Sequence, residues 1–273
     1  MVRFFGRCWL SAVLGFVFTA SSPVGPLLAG QPVPVDVELV VAVDISYSMD
    51  YDELALQRDG YVQAFTSKAF LDALRKGAHG RIAVTYVEWA GTAEQSVVVP
   101  WRLIESPETA DAFAQEIAKS PLRRAYRTSI SGALMFSAAL FKDSGFKGIR
   151  KVIDVSGDGT NNQGPLVEPT RDEVIAKGIT INGLPIQLKT PLTSMIDLPD
   201  LEIYYEDCVI GGPAAFVIPV RERSQFPEAI RRKLVLEIAT IRPQAERHVA
   251  PVVNPPRVSC TIGERMWQQR WGG

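Results

Sequence analysis

The chain has 273 residues, 47% of them hydrophobic and 22% charged, with 19 prolines spread along its length. That composition is globular, enough for one large or two small domains, and excludes a fibrous or disordered class. A formal net charge of −1 offers no basic field, so nucleic acid and an anionic membrane surface are set aside as partners.

Residues 1–29 read as a secretory signal. Arg3 and Arg7 make a basic front, residues 8–20 are mostly apolar, and Ser21-Ser22-Pro23 opens a small, uncharged stretch. The apolar core falls short of the roughly 20 residues that span a bilayer, so no membrane span is expected after cleavage. The rival reading is an uncleaved anchor. Cleavage after Ala20 and after Ala29 both fit, and the destination is the periplasm or the cell exterior. Cys8 lacks the small-residue box of a lipoprotein. Cleavage leaves Cys208 and Cys260, an even pair in an oxidising compartment, which favours a disulfide over two buried thiols. The loop so closed would contribute roughly 4 kcal/mol in the chain-entropy model.

A proline-bearing lead-in, 31–35, precedes VELVVAV at 37–43, a β-branched run of the kind buried on both faces of a parallel sheet. A helix is expected over 52–70, with Asp50 or Asp52 as its N-cap. Strands follow at 81–89 and 96–101, and Pro100 marks the second as an edge or as ending there. Ser106-Pro107-Glu108 starts a helix running to Lys119, and another occupies 129–141. A central strand at 151–156 runs into the turn-forming loop 157–164. A helix at 170–177 and a strand at 178–186 continue the alternation. A helix near 198–207, a strand at 214–220 and a helix at 224–239 complete it. Strands alternating with helices predict a doubly wound, mostly parallel α/β sheet with helices on both faces, over 36–241. The tail 242–273 is proline-rich and is expected to lie irregularly on that domain.

Ligands of such sheets bind beyond the carboxyl ends of central strands. There the chain carries Asp44-Ile45-Ser46-Tyr47-Ser48 after the first strand, Thr128 ahead of a helix, and Ser156-Gly157-Asp158-Gly159 after the strand 151–156. Two carboxylates and three hydroxyls are hard oxygen donors, which suit Mg2+, with Mn2+ or Ca2+ as alternatives, and disfavour Zn2+ or copper. Only two of the donors are charged, which leaves a cation able to accept an outside carboxylate. Taken singly, Asp44, Ser46 and Ser48 could merely cap the next helix, and Asp158 could merely shape an Asp-Gly turn.

Strand plus D-x-S-x-S, then Thr128, then strand plus Asp158-Gly159 resembles the metal-ion-dependent adhesion site of von Willebrand factor A and integrin inserted domains. The resemblance covers roughly 36–220. VSGDGTNNQG, YYEDCVIGGP and RRKLVLEIA are similar to a bacterial exported von Willebrand factor A family of unassigned function, DUF1194-like. The resemblance implies that Ser46 and Ser48 bind the metal directly, Thr128 in the ligand-engaged form, and Asp44 and Asp158 directly or through water. Ser156-Gly157 departs from the Leu-Thr of many members, which puts the contacts behind the ligands in doubt. The function implied is an exported, monomeric, metal-dependent module that engages an Asp or Glu of a partner protein. Tyr47, Arg127 and Asn161 are candidate partner contacts. The alternatives are a metal-dependent envelope hydrolase and a domain whose metal is purely structural. No dinucleotide loop, phosphate-binding loop, G-x-S-x-G elbow or triad is visible, so no catalytic residue is expected. Asp154 and Glu88, inside strands, need buried partners, with arginines as candidates.

Overall fold

Ten consecutive residues, Val35 to Asp44, are buried in the first strand, β1 (Val33–Asp44). In a computed structural model this strand sits at the middle of a five-stranded sheet. The others are β2 (Ile82–Trp89), β3 (Gln95–Ile104), β4 (Phe146–Gly157) and β5 (Ile179–Pro185), in the order β3-β2-β1-β4-β5. β1 pairs in parallel with β2 and β4, and β4 in parallel with β5; β3 is an antiparallel edge carrying Pro100. The doubly wound reading therefore stands. The structure describes residues 1–2, 31–188, 201–239 and 257–271. The proposed signal segment lies almost wholly outside these residues, in a separate unit, Met1–Gln31; everything treated below belongs to the unit from Pro32 onward. Among the described residues no helix is long and apolar enough to cross a membrane.

One face of the sheet is covered by α1 (Tyr51–Thr66), α2 (Lys68–Leu74) and α3 (Pro107–Lys119). Helix α7 (Phe226–Ile238) joins them there, so that Tyr61, Phe65, Phe113 and Ile230 pack on Leu39, Val41 and Val84. The other face carries α4 (Ile130–Leu140), α5 (Val167–Ala176) and the short α6 (Leu201–Tyr204), which put Leu134, Val174 and Tyr204 against Val40, Ile153 and Ile181. The 52–70 helix is two helices, because the Ser67 side chain accepts from the Phe70 N–H and caps a second start.

Three further expectations change. The lead-in becomes strand from Val33, since Val33 to Val35 pair with the start of β4. The 214–220 stretch makes only isolated bridges beside β5, through Val217 and Val220. Pro213 and Pro219 have no N–H to sustain a ladder, and Ala214 adopts φ 57°. The tail is partly regular: α8 (Ile262–Trp271) is a helix, while 240–256 lies outside the described residues.

Asp154 and Glu88 both find buried partners, of different kinds. Glu88 takes arginines: Arg58 of α1 at 2.8 Å and Arg123 at 3.3 Å. Asp154 takes a lysine instead, Lys233 of α7 at 2.7 Å, which also reaches Glu237 at 2.6 Å. A lysine 79 residues away in sequence satisfies it because α7 crosses directly over β4.

Candidate metal site

The strand order reverses between β1 and β4, and β1 and β4 end at Asp44 and Gly157. This is the crevice where an open parallel sheet holds its ligands. Three loops meet there. The β1 loop is tied to the segment before α4 by Tyr47 N–H to Ala125 O (3.0 Å) and Ala125 N–H to Ile45 O (2.9 Å). That segment is in turn tied to the β4 loop: Asn162 N–H donates to Thr128 O (2.8 Å), and Thr128 N–H to Asn162 Oδ1 (3.0 Å).

Four of the five candidate ligands form one linked cluster, with Thr128 beside the residue after Asp158. Ser46 Oγ lies 2.8 Å from Ser48 Oγ, which donates to Asp158 Oδ1 at 2.5 Å. Ser46 N–H donates to Asp44 Oδ1 at 2.7 Å. Thr128 Oγ1 borders Gly159, within 3.7 Å of where a β-carbon there would stand. Asp44, Ser46 and Thr128 are buried and Ser48 is exposed, so the cluster opens outward at Ser48.

Helix capping does not explain these side chains. Asp50 caps α1, in a reciprocal box with Glu53, and Ser129 caps α4. Asp44, Ser46, Ser48 and Thr128 cap neither helix. The Asp44 carboxylate is fully buried, and its Oδ2 has no hydrogen-bond partner. Burial, reinforced by the nearby Asp158 carboxylate, holds the Asp44 carboxyl well above the ordinary range. An orphaned, buried carboxylate oxygen beside a second carboxylate and three hydroxyls is a donor set that fits a hard divalent cation. Among the described residues no group of three His, Cys, Asp or Glu side chains could hold a metal ion, so a cation here would depend on the hydroxyls as well as the two carboxylates.

The Ser156-Gly157 departure has a spatial account. A β-carbon on Gly157 would stand 2.8 Å from Asp44 Oδ2 and 2.9 Å from Tyr205 Oη. The Tyr205 hydroxyl, itself buried and unpartnered, takes the room that a longer side chain would need. Nothing local in the sequence marks Tyr205 for this role.

The candidate partner contacts separate. Tyr47 is exposed and stacks on the exposed Tyr126 with centroids 4.3 Å apart, under Arg124 at 4.6 Å from the Tyr47 ring. Together with Arg127 and Gln163 they line a pocket of about 400 Å³. Arg127 holds a left-handed φ of 74°, uncommon for a residue with a β-carbon, and its guanidinium lies 3.5 Å over the Trp267 ring. Asn161 is a correction. It is fully buried, its Oδ1 accepts from Ser131, and its Nδ2 donates to Pro165 O and Glu264 Oε1. It braces the β4 loop internally and cannot meet a partner.

The topology and the crevice define a von Willebrand factor A-type fold. Residues 34–242 match the model of a family described as a protein of unknown function, DUF1194, and the chain belongs to that family. No curated protein matches. Among solved structures, the pilus adhesin SpaC from Lactobacillus rhamnosus GG is similar with TM-score 0.56 and 12% identity, covering 75% of this chain and 31% of the adhesin. Proximal thread matrix protein 1 from the mussel byssus is similar with TM-score 0.52 and 17% identity, over 77% of this chain and 49% of that one. A further structure of the byssus protein, described as having a zinc-occupied MIDAS motif, gives TM-score 0.51 and 18% identity over 77% and 49%. These identities establish the fold alone, and the chain spans half or less of each protein's length.

Proposed function

We infer that this chain is an exported, metal-dependent protein-binding module of the adhesion or assembly type, not an enzyme. Asp44, Ser46, Ser48, Thr128 and Asp158 hold a divalent cation, Mg2+ in the first instance. The observation that carries this reading is the buried Asp44 carboxylate, with Oδ2 unpartnered, among oxygens from three loops. When bound, the cation supplies a coordination position for an Asp or Glu oxygen of a partner protein. The chain does the rest. Asp44 and Asp158 supply the counter-charge, the hydroxyls bridge between them, and the exposed Ser48 side leaves the approach open. Tyr47 and Tyr126 offer the partner an aromatic ledge beside that approach. The zinc-occupied motif described for the byssus protein supports a divalent cation in this fold and leaves the choice of ion to measurement.

The test is calorimetry of the chelated protein with Mg2+, Mn2+, Ca2+ and Zn2+, followed by crosslinking pull-down. Saturable binding by wild type, abolished in Asp44→Ala, and a partner lost with chelator are expected. No binding by wild type, or equal binding by the variant, overturns the reading. A melting shift with metal but no chelator-sensitive partner leaves a structural cation instead.

A further inference from the structure

The C-terminal helix α8 lies beyond the residues matched by the family model, yet it rests against the loops that carry the candidate ligands. At Gly263 its backbone meets the β4 loop so closely that a β-carbon would stand 2.1 Å from Asn161 O and 2.4 Å from Thr160 Oγ1. One helical turn covers that loop: Glu264 Oε1 accepts from Asn161 Nδ2 at 2.8 Å. The next turn brings Trp267 under the Arg127 guanidinium, one residue before Thr128. So α8 touches both the loop after β4 and the loop before α4.

What holds α8 there is covalent. Cys260, two residues before the helix, is disulfide-bonded to Cys208 in the wide helical turn Tyr205–Val209. Beside the bridge, Arg257 donates to Asp207 at 2.8 Å. The Cys208 end of the bridge also reaches the site. Tyr204 Oη accepts from Asn161 N–H at 3.1 Å, and Tyr205 Oη stands across Gly157 from Asp44 Oδ2. The two cysteines thus join two elements that brace the same loops from different sides.

We propose that the Cys208–Cys260 disulfide locks the Tyr204–Val209 turn and α8 into a clamp that positions the cation-binding loops, so that opening the disulfide weakens cation binding. This rests on the proposed cation site, but the clamp itself is testable without a cation. A dithiol reductant opens the bridge by exchange: its thiolate attacks one cysteine sulfur and expels the other cysteine as a thiolate, and its second thiol then attacks the mixed disulfide, releasing the first cysteine as the dithiol leaves as a cyclic disulfide. The clamp residues contact the ligand-bearing loops from behind, and loss of such support costs about 10–100-fold in metal affinity.

The experiment compares oxidised wild type, dithiol-reduced wild type and the Cys208→Ala/Cys260→Ala variant. Amide exchange of 158–163 is measured in chelator, and Mn2+ affinity by calorimetry. Expected are faster exchange at 158–163 with β1 and β2 still protected, and about a tenfold or greater loss of Mn2+ affinity in both opened forms. If the cysteine variant does not fold, Glu264→Ala/Trp267→Ala, which keeps the bridge and removes the α8 contacts, is expected to give the same two changes. Unchanged exchange at 158–163 in a folded variant overturns the clamp. If wild type binds no cation, the site reading fails while the exchange result still decides the clamp. If exchange quickens but Mn2+ affinity is unaltered, the coupling to cation binding is overturned.

Discussion

Replacing Asp44 by asparagine separates a side chain kept for binding from one kept for stability. The folded protein holds this carboxyl well above its ordinary range, through burial and the Asp158 charge. The sign follows: a group that binds its proton more tightly folded than unfolded costs the fold stability at neutral pH, where both states are ionised or the folded one resists ionising. Asparagine keeps an Oδ1 acceptor for the Ser46 N–H, removes the like charge and leaves no orphaned carboxylate oxygen. An unpaired buried acceptor costs about 1–3 kcal/mol. Allowing for a new donor that must find a partner, Asp44→Asn is expected to raise the stability of the chelated protein by about 1–2 kcal/mol. At roughly 2–4 °C per kcal/mol for a domain of this size, Tm rises by a few degrees. Cation at a hundred times Kd stabilises wild type by about 2.7 kcal/mol and leaves the variant unmoved, so the order of melting reverses. Thermal scans in chelator and in excess Mg2+ check this. A variant that melts below wild type in chelator, or shifts equally with Mg2+, refutes the reasoning.

Lys233 stands buried between Asp154 and Glu237, so Lys233→Met leaves two uncompensated carboxyls and is expected to cost about 3–5 kcal/mol by urea unfolding. A loss below about 1 kcal/mol would mean that the network does not need its cation. Burial raises the Glu237 carboxyl to about 7, against the pull of Lys233. Its contribution is therefore complete below the unfolded carboxylate range and is lost as pH rises through about 7. Urea midpoints measured from pH 5 to pH 8 should fall with pH in wild type and flatten in Glu237→Gln. Gly157→Ala drives a β-carbon into Asp44 and Tyr205, at an expected cost of about 1–3 kcal/mol. Adding Tyr205→Phe should recover part of that in the same unfolding assay, since it removes one of the two obstructing oxygens.

Much of this molecule was written in local pattern. The β-branched run before Asp44 demands burial on both faces and so a central parallel strand, whatever surrounds it. The spacing Asp44-x-Ser46-x-Ser48, with Asp158-Gly159 closing another strand, named the candidate donors because each lies at the end of an element legible by itself. The expectation of export made the two cysteines beyond residue 29 an expected pair, and Cys208 and Cys260 are bonded. Pairings across the sheet were not written that way. Asp154 asked for a partner, but only the crossing of α7 over β4 chose Lys233 rather than an arginine. Asn161 belongs to a turn-forming loop and reads as surface until α8 covers it. The 214–220 stretch has strand composition, yet Pro213 and Pro219 leave it only isolated bridges beside β5. Local composition decides which elements form, because propensity and periodicity act over a few residues. Which buried charge meets which, and which tail presses on which loop, depends on contacts between distant parts of the chain that exist only once the sheet has assembled.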